Sequence, residues 1–337
     1  MIASDKPIIA ITIGDPAGIG PEVTAKALAD QSVWACCRPL VVGDAGVMAK
    51  AAVLAGGKLT FRAIADAKDA HYDPAAPDVL DLHNVDLATL QPGKVAAEAG
   101  VAAAAYIMRA VELARDGLAD AISTGPINKA ALKAAHIPFI GHTEMIAELL
   151  HSGEVTTMLA TEGLRVVHVT RHVPLAQVAA LITRENVLGT IRLTDEGLRQ
   201  MGFAAPRIAV AALNPHGGDE GLMGREEIDA IGPAVEAARA EGIAATGPIP
   251  ADSVFFRAIR GEFDVVVAMF HDQGHIPIKT HGFERSITVT LGLPIIRTSV
   301  DHGTAFDIAW KGVASAESMV ESICLAAQLA QGKRSRP

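Results

Sequence analysis

The chain has 337 residues, half of them apolar, with a formal net charge of -9 and three cysteines. That length supports a large core divided between two lobes, and the negative charge excludes a general nucleic-acid binder, which needs a cationic surface. Adjacent Cys36 and Cys37 with a remote Cys324 make neither a disulfide framework nor a zinc knuckle; no apolar run reaches bilayer length, and "MIASDKP" lacks a signal-peptide core. The expectation is a protein of the reducing cytoplasm with no membrane contact.

In chain order, the first apolar run "IIAITI" leads into "GDPAGIGPE" and then a helix-like "VTAKALAD". The glycine spacing fits neither GxGxxG nor GxxxxGK[ST], so the segment reads as a tight turn: Gly14, Gly18 and Gly20 permit unusual backbone angles or close approach, Pro21 starts the helix, and Glu22 lies in its first turn. Asp15 is expected to face a cleft. Further Val/Ile-rich runs follow at "PLVV", "DVLDL", "DAIST", "LRVVHVT", "RIAVAAL", "DVVVAMF" and "ITVTLGLPIIRT", separated by Ala-rich segments of helical spacing. This predicts an α/β fold with long helices at 95–115, 184–201 and 315–331. The basic tail "GKRSRP" reads as a frayed, solvated terminus. Without a low-complexity linker, one lobe is expected to be discontinuous, 1–135 plus 285–337, with the other at 136–284.

Three histidines stand just past strand-like runs: His172 after "LRVVHVT", His216 after "RIAVAAL", His271 after "DVVVAMF". In open α/β sheets ligands collect at the carboxyl ends of strands, so residues distant in sequence can converge there. Three neutral imidazoles with an open fourth position suit a catalytic divalent metal, zinc or another late first-row ion; cobalt and magnesium are the alternatives carried beside zinc. Asp272 can be a ligand, a partner orienting an imidazole, or a proton acceptor. His168, within its strand pattern, reads as structural; His71, His83 and His151 read as surface residues.

In "GHTEMIAELL", His142 and Thr143 open an amphipathic helix whose free N–H groups favour an anion, although Thr143 can equally be a plain helix cap. Lys279 and Arg297 can supply cations for a carboxylate or phosphate. Asp301, His302, Gly303, Thr304 and Asp307 cluster in the turn-like "DHGTAFDIAWKG", which suggests a bound group or tight packing.

Taken in order, "GDPAGIGPE", "STGPINK", "GHTE", "LNPHGGDEG", "AMFHDQGHIPIK" and "LGLPIIRTSVDHGTAFDIA" closely resemble the 4-hydroxythreonine-4-phosphate dehydrogenase (PdxA) family of pyridoxal phosphate biosynthesis. "GDPAGIGPE" and "HGTAFDIAWKG" also look like segments of isopropylmalate and isocitrate dehydrogenases. The resemblance implies a homodimer with a two-lobed isocitrate/isopropylmalate dehydrogenase-like fold, not a classical Rossmann fold, with the active site in the cleft between lobes. By the same resemblance His172, His216 and His271 match the metal ligands, His142, Thr143, Lys279 and Arg297 match substrate contacts, and the Asp301–Asp307 segment matches the cofactor side. Asp252, in "PADSVF", matches an acidic residue that the family places near the metal site, within the chain or across the dimer interface. The family's usual Asn contact is Thr288 here. "HDQGHIPIK" resembles a branch that handles D-threonate or D-erythronate 4-phosphate.

The implied reaction is NAD(P)- and metal-dependent oxidation and decarboxylation of a 4-phosphorylated 3-hydroxy acid, such as 4-(phosphooxy)-L-threonine to 3-amino-2-oxopropyl phosphate. D-threonate or D-erythronate 4-phosphate is the alternative substrate; a cis-dihydrodiol lacks the phosphate that "GHTE" would meet. Asp252, Asp272 and Lys279 are the candidate catalytic residues. A metal-dependent hydrolase would use the same histidines but leave "HGTAFDIA" idle, and a non-catalytic sensor would not need the full ligand set.

Overall fold

The computed structural model describes residues 6–57 and 59–334, so the N-terminal "MIASD" and the end of the basic tail lie outside the described residues. Twelve strands form among them: β1 (Ile8–Thr12), β2 (Arg38–Gly43), β3 (Arg62–Ile64), β4 (Asp78–Asp81), β5 (Ala121–Thr124), β6 (Thr156–Thr161), β7 (Leu164–His168), β8 (Ile208–Ala211), β9 (Ala245–Ile249), β10 (Val265–Ala268), β11 (Ile287–Leu291) and β12 (Ile296–Val300). The chain divides into two compact units, one formed by residues up to Gly153 together with those from Leu293 onward, the other by Glu154–Gly292.

In the discontinuous unit the strand order is β3-β4-β2-β1-β5-β12 and every pairing is parallel. Parallel strands covered on both faces carry continuous apolar runs rather than alternating ones, and Ile9, Ala10, Ile11, Leu40, Val41, Val42 and Ile122 are fully buried. The helices Ala97–Arg115 and Glu317–Arg334 pack on these strands, and Gly20–Leu28 packs against the helices Ala45–Leu54 and Glu317–Arg334. Ala97–Arg115 lays Ala99, Ala102, Ala103, Tyr106 and Ala110 inward, the small residues permitting close approach. The last helix runs on to Arg334, whose guanidinium pairs with Asp120 at 2.7 Å, so the tail is tied down further than its composition suggests.

In Glu154–Gly292 the order is β11-β6-β7-β10-β8-β9. β11, β6 and β7 pair antiparallel, while β7, β10, β8 and β9 pair parallel. The core beneath these strands gathers Val166, Ala209, Val266, Val254, Phe255 and Ile278. The predicted helices at 184–201 and 315–331 are found at Arg184–Gln200 and Glu317–Arg334, and the long "ITVTLGLPIIRT" run splits at Gly292 into β11 and β12. Three strands escaped the sequence pattern: β3 has only three residues, β6 ("TTMLAT") is rich in Thr, and β9 ("ATGPI") contains Gly and Pro. Cys324, remote from Cys36 in sequence, brings its Sγ to 3.3 Å from the Cys36 Sγ; all three thiols are free. Among the described residues no helix is long and apolar enough to cross a membrane.

Candidate active site

β7, β10 and β8 are consecutive neighbours in the parallel part of the Glu154–Gly292 sheet, and each is followed within a few residues by one of the three singled-out histidines. His172 lies in the loop after β7, His271 is the first residue of the helix His271–Gly282 after β10, and His216 lies in the turn after β8. Their common placement follows from parallel pairing, which sends all three carboxyl ends to the same edge.

His271 Nδ1 lies 2.7 Å from Asp272 Oδ1, which engages that nitrogen and leaves Nε2 as the ring atom for a ligand bond. The His172 and His271 ring centroids are 5.8 Å apart, and both residues line a cavity of about 320 Å³ with Arg171, Val173, Phe270 and Asp272. His216 Nδ1 stands 3.9 Å from Asp252 Oδ2, beyond hydrogen-bond length, and both side chains are well exposed. The ligand atoms of His172, His216 and His271 do not all lie within 4.8 Å of one another. In donor type and in their common placement after β7, β8 and β10, these residues nevertheless fit a divalent metal.

His216 sits in an unusual backbone. From His216 through Glu220 five consecutive residues have positive φ, including the non-glycine His216, Asp219 and Glu220. A left-handed run of L-residues costs about 1–2 kcal/mol for each such residue, so it needs external support. Buried Glu227 supplies it: one carboxylate oxygen accepts the backbone N–H groups of Leu213 and Asn214, both at 2.8 Å, and the other accepts Asn214 Nδ2 at 3.0 Å.

The two further histidines of the region have structural settings. His275 stacks on His271 with centroids 3.5 Å apart and an interplanar angle of 11°, its Nδ1 lying 3.0 Å from the His271 carbonyl oxygen. His168 is buried in β7, as its strand pattern predicts, and burial pushes its imidazole down to about 3, with neighbouring His275 and His271 acting in the same direction. Gly274 makes room for it: a Cβ there would come within 2.2 Å of His168 Nε2. In the same unit Lys279 Nζ donates to Ser286 Oγ at 2.8 Å, and Thr288 lies on β11 opposite Leu159 of β6.

The discontinuous unit holds the remaining candidates. His142 and Thr143 open the helix His142–Leu149, but Gly141 is the N-cap and no side chain caps the turn, so Thr143 is a first-turn residue and not the cap. The His142 Nε2 is shielded from solvent without a partner; burial first, then the nearby Arg297 guanidinium, holds this imidazole well below the ordinary histidine range. Arg297, in β12, is buried and donates to Thr124 Oγ1 from Nη2 at 2.7 Å; burial pushes it down to about 10 against the opposing pull of Glu144.

The Asp301–Asp307 segment is packed against the opening loop. Thr304 is buried, its carbonyl accepts the Ile19 N–H at 3.0 Å, and its Oγ1 accepts Asn128 Nδ2 at 3.4 Å. His302 Nδ1 lies 3.0 Å from the Gly303 carbonyl oxygen, while Asp301 is half-buried and Gly303 and Asp307 are exposed. Downstream, buried Glu22 accepts the N–H groups of Gly312 and Ala314 at 3.1 and 2.8 Å, and Trp310 Nε1 donates to the Pro16 carbonyl at 3.0 Å. "GDPAGIGPE" and "HGTAFDIAWKG", at opposite ends of the sequence, therefore form one packed element. Gly14, at φ 71°, meets the Pro126 carbonyl so closely that a Cβ would lie 2.3 Å from it. Asp15 is fully buried: Oδ1 accepts the Ala17 N–H at 2.8 Å, Oδ2 has no partner, and burial pushes the carboxyl up to about 6.

His71, His83 and His151 are exposed, as expected, yet His83 joins a group the sequence did not suggest. Asp44, Asp81 and His83 are the only described residues forming a set of three metal-ligand types with all ligand atoms within 4.8 Å. Backbone N–H groups already occupy its carboxylates: Val47 on Asp44 Oδ1, Asn84 and Val85 on Oδ2, Ala45 and His83 on Asp81 Oδ1. Sequence reasoning also missed Glu227 and Gln273; Gln273 lies within the "HDQGH" run, but nothing in a sequence marks an amide that bridges two strand ends.

The family model "Pyridoxal phosphate biosynthetic protein PdxA" matches residues 35–326. A protein of Symbiobacterium thermophilum named for D-threonate 4-phosphate dehydrogenase activity is 53% identical over 329 residues, 98% of each chain. A 4-hydroxythreonine-4-phosphate dehydrogenase of Desulforapulum autotrophicum is 47% identical over 327 residues, 97% of this chain and 96% of its own. The crystal structure of 4-hydroxythreonine-4-phosphate dehydrogenase from Klebsiella pneumoniae superposes with a TM-score of 0.88 at 45% identity, covering 96% of this chain and 99% of that one. The α/β architecture is thus that of the 4-hydroxythreonine-4-phosphate dehydrogenases, and the chain belongs to the PdxA family.

Proposed function

We propose that the chain is an NAD(P)- and divalent-metal-dependent dehydrogenase that oxidises and decarboxylates a 4-phosphorylated 3-hydroxy acid, with 4-(phosphooxy)-L-threonine, a precursor in pyridoxine biosynthesis, as the leading substrate. One observation carries the site: three histidines follow the carboxyl ends of adjacent parallel strands β7, β10 and β8 in a member of the PdxA family. His172, His216 and His271 would hold the metal, zinc first by donor type, with magnesium or cobalt as alternatives. When bound, the metal supplies Lewis acidity at the substrate hydroxyl, and the nicotinamide accepts the hydride.

The chain's own residues divide the remaining work. Asp272 is committed to His271 Nδ1 and orients that ring. Asp252, 3.9 Å from His216 and exposed, is the better placed of the two carboxylates to take the hydroxyl proton. His142 and Thr143, at a helix start with uncapped N–H groups, together with Arg297, bind the substrate's anionic groups. Lys279 contributes a further cation, and Thr288 a hydroxyl at the position that the family resemblance matches to an Asn contact. Asp301, His302, Gly303, Thr304 and Asp307 form the cofactor side; buried Thr304 shapes the backbone there. In this reading the discontinuous lobe, expected at 1–135 plus 285–337 and reaching Gly153 and resuming at Leu293 in the fold, carries the cofactor, while Glu154–Gly292 carries the metal and the homodimer contacts, for which exposed Leu222 and Phe256 are candidates. The enzyme works in the cytoplasm, consistent with its three free thiols.

The test is reduction of NAD or NADP by purified protein supplied with divalent metal and a panel of 4-(phosphooxy)-L-threonine, D-threonate 4-phosphate, D-erythronate 4-phosphate and a cis-dihydrodiol. Metal-dependent turnover of a phosphorylated hydroxy acid supports the reading and identifies the acid. Absence of cofactor reduction with every member of the panel, in protein that binds metal, would sink it.

A further inference from the structure

We infer that Gln273 is a positioning residue that sets the spacing of the metal-binding histidines by clipping together the ends of β8 and β10. The inference rests on the metal role given above to His172, His216 and His271. Gln273 uses both ends of its amide on backbone: Oε1 accepts the Met269 N–H at 2.6 Å, and Nε2 donates to the Ala212 carbonyl at 2.7 Å. Met269 directly follows β10 and precedes His271 by two residues; Ala212 directly follows β8 and precedes His216 by four.

Each backbone partner is itself a junction. The Met269 carbonyl accepts both the N–H and the hydroxyl of Thr170, at 3.1 and 2.8 Å, which ties in the segment leading to His172. The Ala212 N–H donates to the Ile249 carbonyl at 2.8 Å, which ties in the end of β9, three residues before Asp252. Past these points the regular ladders stop: β10 and β8 share no register beyond Val267 and Val210. One amide therefore connects the four segments that present His172, His216, Asp252 and His271. Hydrophobic packing tolerates small shifts between strand ends, whereas metal ligation demands positions held to within about 0.5 Å. A side chain with one donor and one acceptor meets the need; an apolar or single-function side chain does not.

The test is calorimetric titration of zinc into chelator-treated wild-type protein, Gln273→Met, Gln273→Glu and His271→Ala. Gln273→Met keeps the volume and loses both bonds; Gln273→Glu keeps an acceptor for Met269 and loses the donor to Ala212. The expected result is one zinc per wild-type chain, none in His271→Ala, and a Kd raised about 10- to 100-fold in both Gln273 variants, the range typical of lost support to a metal ligand. Saturating zinc should then restore much of kcat to the Gln273 variants, which a general loss of folded protein would not permit. If Gln273→Met is recovered unfolded, Gln273→Glu decides alone. Unchanged zinc affinity in the folded variants, beside stoichiometric wild-type binding, overturns the clip and leaves the metal site standing. Wild-type protein that takes up no zinc overturns the metal reading, and the clip with it.

Discussion

The Glu227 carboxylate accepts the backbone N–H of Asn214 at 2.8 Å, two residues before His216 and at the foot of a five-residue left-handed run. Glu227→Ala would remove the acceptor of that N–H, of the neighbouring Leu213 N–H and of one bond of the Asn214 amide, in a half-buried setting. Unpaired buried donors cost about 1–3 kcal/mol each, and water can reach half-buried ones, so the expected loss of stability is roughly 1–2 kcal/mol. Urea unfolding measures it, and zinc titration should reveal weaker binding as the His216 turn loosens. A variant with wild-type stability and affinity would mean that the turn stands without this support.

Gly274 and His168 form a second testable pair. A Cβ at 274 would meet His168 Nε2 at 2.2 Å and Val166 Cγ1 at 2.6 Å, so Gly274→Ala is expected to cost about 3 kcal/mol through overpacking. Shortening the partner with His168→Ala should relieve most of the clash. The double variant should therefore be more stable than the sum of the single effects predicts, and a thermal-unfolding cycle reads the coupling. Strict additivity would show that the two residues do not press on each other.

Much of this arrangement is legible in sequence, for identifiable reasons. Buried strands leave continuous Val/Ile runs, so β7, β8 and β10 stand out, and the histidines that follow them inherit a common sheet edge. β9 does not stand out, because the Gly and Pro of "ATGPI" mimic a turn. The union of "GDPAGIGPE" with "HGTAFDIAWKG" is invisible as well: Glu22 finds its partners at Gly312 and Ala314, nearly the whole chain away, and sequence separation hides hydrogen bonds to backbone. Thr143 failed as a cap because Gly141 already occupies that position.

Asp15 should leave a mark on the pH dependence of stability. Its carboxyl is raised from 3.8 to about 6 in the folded chain, so between these values the folded state holds a proton that the unfolded state has released. Stability from this group is complete below pH 3.8 and is lost as pH rises through about 6, a change of about 3 kcal/mol. Asp15→Asn should lack that decline and gain relative to the wild type above pH 6. Urea midpoints across the interval check it; parallel pH profiles for the two proteins would contradict it.

Arg297→Lys tests the anion site. A lysine cannot reproduce the fork that binds Thr124 Oγ1 through Nε and Nη2, and the buried position penalises a compact ammonium. The expected result is a KM for the phosphorylated substrate raised at least about tenfold, the scale of one lost charge-assisted bond, with metal affinity unchanged. An unchanged KM would remove Arg297 from substrate binding.

The central claim is a metal-dependent dehydrogenase whose metal sits on His172, His216 and His271. It is tested most directly by following reduced nicotinamide formation with 4-(phosphooxy)-L-threonine and the D-threonate and D-erythronate 4-phosphates, in wild-type protein and in His216→Ala, before and after chelation. The account predicts turnover of at least one of these acids by the wild type, its loss on chelation and recovery with added divalent metal, and no turnover by a folded His216→Ala. Full activity in His216→Ala, or wild-type turnover indifferent to chelation, would contradict it.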